Sequence, residues 1–248
     1  GFAAACWMRG VRWVAVPTTL LAMVDSSVGG KTAVDLLTAK NAVGAFWQPS
    51  AVVCDVRFLG TEPERGYKSA LAEVVKTAVI GDAQLLRVLE ARVAEVRGRD
   101  SRLVAEMVQR CVQVKARVVS RDEREGSLRA CLNLGHTVGH ALESQGGYET
   151  LTHGEAVSLG LVVALRIGER LGQTPPGLTA RVRELLAALG LPTEATPGAL
   201  IEATALIGHD KKRAGSDVWF VVARAAGDVA PVRIGLGELR EHVRALAG

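Results

Sequence analysis

Apolar positions along the chain fall into two regimes. In the first, residues 11–16 (VRWVAV) run apolar up to Pro17 and predict a short buried strand. Residues 51–56 (AVVCDV), after the breaker Gln48-Pro49, predict a second. Between them Thr18-Thr19 open a helix-like stretch, TTLLAMVDSSV, and Gly29-Gly30-Lys31-Thr32 reads as a glycine turn carrying a lysine. This alternation predicts an α/β arrangement with parallel strands. After Pro63 the period changes. Residues 67–80, 83–97, 100–120 and 155–171 carry apolar residues at helical spacing, and 178–189 and 197–207 do so more weakly. Residues 218–223 (VWFVVA) and 229–234 predict a late hairpin. The expectation is an α/β part over 1–60 followed by a mostly helical domain over 61–248.

Composition narrows the class. The chain has 248 residues, 48% hydrophobic and 23% charged, as an ordinary soluble globular protein does. Aromatics are only 4%, so the core has to be built from Ala, Val and Leu. The formal charge of +4 is spread along the chain, with no Lys/Arg block interleaved with aromatics. That argues against a nucleic-acid partner and suits a small anionic substrate. Cys6, Cys54, Cys111 and Cys131 show no CxxC spacing and each sits in an apolar stretch, which reads as reduced core thiols of a cytoplasmic protein. No apolar run reaches the ~18 residues of a membrane span.

The densest chemistry is LNLGHTVGHALE, residues 132–143. His136 and His140 are four apart and share one face of a helix. His153 begins HGEAVSLGL, where a loop enters a helix; three of the chain's five histidines thus lie between positions 136 and 153. Such clustering points to a metal or proton-transfer site. Spacing alone nominates His136 and His140 as paired ligands, although HExxH is absent. A catalytic zinc commonly adds a carboxylate, for which Glu73, Glu143 and Glu155 are candidates. Glu73 lies inside an apolar helical run, where a carboxylate needs a cation or a metal; an ion pair with Lys76 is the plainer alternative. DSSVGGKTAVD, residues 25–35, resembles the end of a phosphate loop but fails the GxxxxGK(S/T) spacing, because Asp25 stands at its first glycine. A backbone turn with Lys31 still suits a single phosphate.

These residues sit in segments that resemble the 3-dehydroquinate synthases of the shikimate pathway: GFAAACWMRG, VPTTLLAMVDSSVGGKTAVD, KNAVGAFWQP, LAEVVK, LNLGHTVGHALE and HGEAV, with GHDKK more loosely. The resemblance implies a partial Rossmann-like, NAD-binding parallel-sheet part followed by a helical metal-binding domain. It implies that Glu73, His136 and His153 ligate Zn²⁺ (or Co²⁺), and that His140 is no ligand but manages protons near the leaving phosphate. Lys31 and Asn41 become phosphate and substrate contacts, and Arg9 reaches the phosphate site of a neighbouring subunit in a homodimer. Asp25 and Lys76 meet substrate hydroxyls. Lys115, Arg129, Asn133 and one of Lys211 or Lys212 hold the carboxylate and remaining oxygens. Thr18, Thr19, Lys40 and Thr61, with Asp25, resemble NAD contacts. The implied substrate is 3-deoxy-D-arabino-heptulosonate 7-phosphate. A related sugar-phosphate cyclase, such as an aminodehydroquinate synthase, is the nearest alternative; an inactive, partner-binding fragment is the other. Two departures stand out. Gly66 occupies a position where the family pattern leads one to expect glutamate. The chain also begins at Gly1, late in that pattern, so much of the NAD pyrophosphate site is expected to lie outside it, leaving the α/β part with exposed apolar surface.

Overall fold

The structure, a computed structural model, describes residues 1–36, 39–145, 150–208 and 217–248, with the side chains of 39 and 40 left aside. The chain opens with a short helix α1 (Phe2–Cys6) and the strand β1 (Val14–Ala15). A π-helical turn (Ala22–Ser26) then leads into the hairpin β2 (Lys31–Leu36) and β3 (Ala39–Phe46). After β4 (Ala51–Val52) and a 3-10 turn (Val56–Thr61) come the helices α2 (Glu64–Gly81), α3 (Ala83–Ala91), α4 (Val93–Arg97) and α5 (Ser101–Val119). A second 3-10 turn (Leu128–Asn133) precedes α6 (His136–Gln145), α7 (His153–Arg170), α8 (Leu178–Ala188) and α9 (Pro197–Leu206). The hairpin β5 (Asp217–Ala225) and β6 (Asp228–Gly235) and the helix α10 (Leu236–Arg244) close the chain.

The described strands form three separate pairs. β1 and β4 are parallel, with Val14 opposite Ala51. β2 and β3 are antiparallel, with Lys31 opposite Phe46. β5 and β6 are antiparallel and carry the late hairpin expected from the apolar pattern. The β2–β3 hairpin and α10 were not expected. The run 83–97 is not one helix. It breaks at Arg92, which leaves helical dihedrals at φ −128°, ψ 34°. α3 therefore buries Leu85, Leu86 and Leu89, while α4 buries Val96 by itself.

The core centres on α2, buried almost continuously from Tyr67 to Ile80 and packed against α5 and α7. Caps fix where its neighbours begin. Asp82 accepts the Leu85 N–H at 2.9 Å ahead of α3, and Asp100 accepts the Leu103 N–H at 2.9 Å ahead of α5. One cysteine expectation needs correction. Cys111 and Cys131 are buried thiols, but Cys54 is half-buried, and Cys6 is exposed because α1 buries none of its residues. No described helix is long and apolar enough to cross a membrane.

Candidate metal and anion site

Three helices bring the titratable cluster together. Glu73 lies at the middle of α2 and is 1% exposed. His136 is the first residue of α6, and His153 the first of α7. Thr152 precedes His153 and makes a reciprocal cap: its side chain accepts the Glu155 N–H, and Glu155 accepts the Thr152 N–H. That cap fixes the register at which His153 leaves the loop. Two glycines allow the helices to come close enough. A Cβ on Gly154 would overlap the Ser69 carbonyl oxygen of α2, and one on Gly160 would overlap the Gly135 carbonyl oxygen and lie 2.7 Å from Gly139 N.

Each oxygen of the Glu73 carboxylate has its own task. Oε2 faces Lys76 Nζ at 2.6 Å, while Oε1 lies 3.2 Å from His153 Nε2 and 3.5 Å from His136 Nε2. The ion pair and the imidazole cluster, alternatives in the sequence, coexist. His153 Nδ1 turns to Glu143 Oε2 at 3.6 Å. Ligand atoms of Glu73, His136 and His153 all lie within 4.8 Å of one another, and so do those of His140, Glu143 and His153. The His136 and His140 rings are 5.0 Å apart between centroids. Spacing placed both on one face; the fold puts His136 with Glu73, and His140 with Glu143. Glu155, another candidate carboxylate, is taken up by Arg65 at 2.8 Å and by the α7 cap.

The protonation states follow from the surroundings. Burial opposes charge on Glu73, but Lys76 and the histidines outweigh it and hold the carboxyl well below its usual range. Burial, helped by Lys76, pushes His136 down to about 3, so its ring is neutral. Its Nδ1 lies 3.3 Å from the Leu134 carbonyl oxygen; donating there leaves the Nε2 lone pair toward Glu73. Burial also opposes a proton on His153, but its bonds to Glu143 and Glu73 raise it to about 9. An ionised carboxylate and a neutral imidazole with an inward lone pair fit a divalent cation, and His153, whose raised pKa reflects the same buried carboxylates, would join them by giving up its proton to the metal's positive charge.

Beside this cluster lies a cleft of about 550 Å³. Asp25, Lys31, Asn41, Lys115 and Arg129, all nominated from the sequence, line it. Lys115 Nζ donates to the Asp25 backbone oxygen at 2.6 Å and to Oδ1 at 2.7 Å. Burial lowers the Lys115 pKa, partly offset by Asp25. Arg129 is 2% exposed and donates to the Glu123 carbonyl oxygen. Sequence reasoning missed Glu125. Its carboxylate takes Lys31 Nζ at 2.5 Å and Asn133 Nδ2 at 3.1 Å, and the residue sits at φ 61°. In the sequence it is one charge in RDEREG, with nothing to separate it from a solvated turn.

The remaining nominees lie elsewhere. Thr18, Thr19 and Thr61 are exposed, yet the Leu20 N–H donates to Glu62 Oε2 at 3.0 Å, which draws their two segments together. Arg9 is exposed at φ 65° and does not line the cleft. Lys211, Lys212 and the side chain of Lys40 lie outside the described residues. A cleft of about 620 Å³ between α7, α8 and α9 contains none of the nominees.

Residues 1–69 match the family model described as 3-dehydroquinate synthase N-terminal, and residues 70–213 the one described as 3-dehydroquinate synthase C-terminal. The 3-dehydroquinate synthase of Geobacter metallireducens is 45% identical over 234 residues, covering 94% of this chain and 65% of the relative. The chain thus spans a little under two thirds of that relative's length. Among solved structures, a 2-deoxy-scyllo-inosose synthase complexed with carbaglucose-6-phosphate, NAD⁺ and Co²⁺ has a TM-score of 0.83 at 28% identity, over 98% of this chain and 70% of that one. ValA, a 2-epi-5-epi-valiolone synthase from Streptomyces hygroscopicus with NAD⁺ and Zn²⁺ bound, has a TM-score of 0.85 at 27% identity, over 100% and 69%.

Proposed function

Since the chain belongs to the 3-dehydroquinate synthase family, we propose that it serves the conversion of 3-deoxy-D-arabino-heptulosonate 7-phosphate to 3-dehydroquinate and phosphate in the cytoplasm. The observation that carries this reading is the convergence of Asp25, Lys31, Asn41, Lys115 and Arg129 on one cleft, beside the Glu73, His136 and His153 cluster. A substrate with a carboxylate at one end and a phosphate at the other needs two separate cationic grips. Arg129 and Lys115, with Asn133 and one of Lys211 or Lys212, form the first. Lys31 and Asn41 form the second.

Glu73, His136 and His153 would hold the divalent metal, and Thr18, Thr19, Lys40 and Thr61, with Asp25, would meet NAD. When bound, these two groups supply a Lewis acid for the substrate hydroxyl and a reversible hydride acceptor. The chain's own residues bind and orient. Asp25 and Lys76 take substrate hydroxyls, and the fixed cations hold a polyanion at little reorganisation cost. His140 handles the proton as phosphate leaves by β-elimination next to a transient ketone. With the hydride returned to that ketone, ring opening and an intramolecular aldol closure would give the carbocycle, so the sequence is redox-neutral. In a homodimer, the exposed Arg9 would reach the neighbouring subunit's phosphate site. Incubation with NAD⁺, a divalent metal and the heptulosonate phosphate tests the reading. Phosphate release with a product of dehydroquinate mass is expected; equal turnover of a carboxylate-free sugar phosphate would defeat it.

A further inference from the structure

The turn that presents Asp25 is tied down from far along the chain. Leu20 is 0% exposed, and its N–H donates to Glu62 Oε2 at 3.0 Å, across 42 positions. Glu62 is itself only 9% exposed. Its backbone is held in turn: Arg99 Nη1 donates to the Glu62 carbonyl oxygen at 2.8 Å and also to that of Leu59. Arg99 adopts φ 58° and sets its guanidinium 4.6 Å from the centre of the Tyr67 ring, whose hydroxyl donates to the Val96 carbonyl oxygen at 2.7 Å.

From Leu20 the constraint reaches the cleft through a hydrogen-bonded turn. The Met23 N–H donates to the Thr19 oxygen at 3.0 Å, the Ser27 N–H to Ala22 at 3.0 Å, and the Val28 N–H to Asp25 at 3.1 Å. Asp25 then takes Lys115 through both its side chain and its backbone oxygen. We propose that Glu62 is a positioning residue: its buried carboxylate fixes the start of this turn so that Asp25 meets Lys115. The inference rests on placing Asp25 and Lys115 in the site, and its test reads their pairing rather than turnover.

The test is competitive acylation of lysines, quantified by mass spectrometry, with amide exchange of residues 19–26 measured in parallel. Glu62→Leu leaves the buried Leu20 N–H without an acceptor. It should speed both Lys115 labelling and exchange in 19–26 by about tenfold or more, with Lys68 labelling unchanged. Glu62→Gln keeps an acceptor oxygen and should restore both to near the parent values. Should the leucine variant not fold, Arg99→Gln leaves the carboxylate but frees its backbone, and should raise both readouts severalfold. Unchanged Lys115 labelling in a folded Glu62→Leu or Arg99→Gln protein overturns the proposal, whatever the change in melting temperature. So does a Glu62→Gln protein that behaves like Glu62→Leu.

Discussion

Glu73 Oε1 and His153 Nε2 lie 3.2 Å apart although 80 positions separate them in sequence. His136 approaches the same oxygen, while His140 belongs to the other side of His153. His153→Ala should therefore strip the protein of bound zinc, and His140→Ala should retain it while losing turnover. Metal content after gel filtration, read by elemental analysis, decides. Equal loss in the two variants would return the ligand pair to His136 and His140.

Arg129 is a buried guanidinium in the cleft, and a planar fork suits a carboxylate better than an ammonium does. Arg129→Lys should weaken binding of the natural substrate by about 10–100-fold, and that of a carboxylate-free analogue much less. Calorimetric titration with both ligands measures the difference. Equal losses would remove Arg129 from the carboxylate grip.

The α6–α7 approach depends on Gly160. A Cβ there meets backbone atoms of Gly135 and Gly139 rather than a flexible side chain. Gly160→Ala should destabilise by about 1–3 kcal/mol and reduce zinc affinity by moving His136 away from His153. Denaturant melts with and without zinc provide the check; an alanine variant with parent affinity would show that the helices can separate without disturbing the ligands.

Asp82 caps α3 and takes Arg110 at 2.7 and 2.9 Å. Burial raises its pKa, but the Arg110 hydrogen bonds outweigh that and lower it. A carboxyl whose folded pKa is depressed stabilises above its unfolded value, near 4, and loses that contribution as pH falls through the folded value. Asp82→Asn keeps the cap but loses the Arg110 ion pair, which should cost up to about 1 kcal/mol near neutrality and flatten the acid limb of the stability curve below about pH 4. An unaltered acid limb in urea melts would assign that pH dependence to other carboxylates.

Long apolar runs made α2, α5 and α7 legible in the sequence: α5 buries one face at helical spacing, and α2 and α7 are buried almost continuously over many turns. His153 was legible as a residue where a loop meets a helix. The β2–β3 hairpin was not. Lys31–Phe46 is poor in β-branched residues, contains Gly44, and pairs by backbone register rather than by an apolar alternation. The roles of His136 and His140 could not be separated by spacing, since the distinction depends on which carboxylate each meets across the fold. Gly66 was visible as a departure. Nothing in the structure requires it, since a Cβ there would meet Glu62 Oε1 at an ordinary 3.4 Å.

Among the described residues of the first 58, the main hydrophobic core draws fully buried side chains only at Leu20, Met23 and Val24. Val14, Val16, Val34, Phe46, Val53 and Phe58 in that stretch face outward. Native structure held by so few buried anchors is a natural unit for subglobal unfolding, with an opening free energy below that of the helical core. Lys31 and Asn41 ride on this loosely anchored arm, whereas Glu73, His136 and His153 are carried by the helices. Rising denaturant should therefore dissolve the proposed phosphate grip first, leaving a partly unfolded state that would still hold a metal at Glu73, His136 and His153.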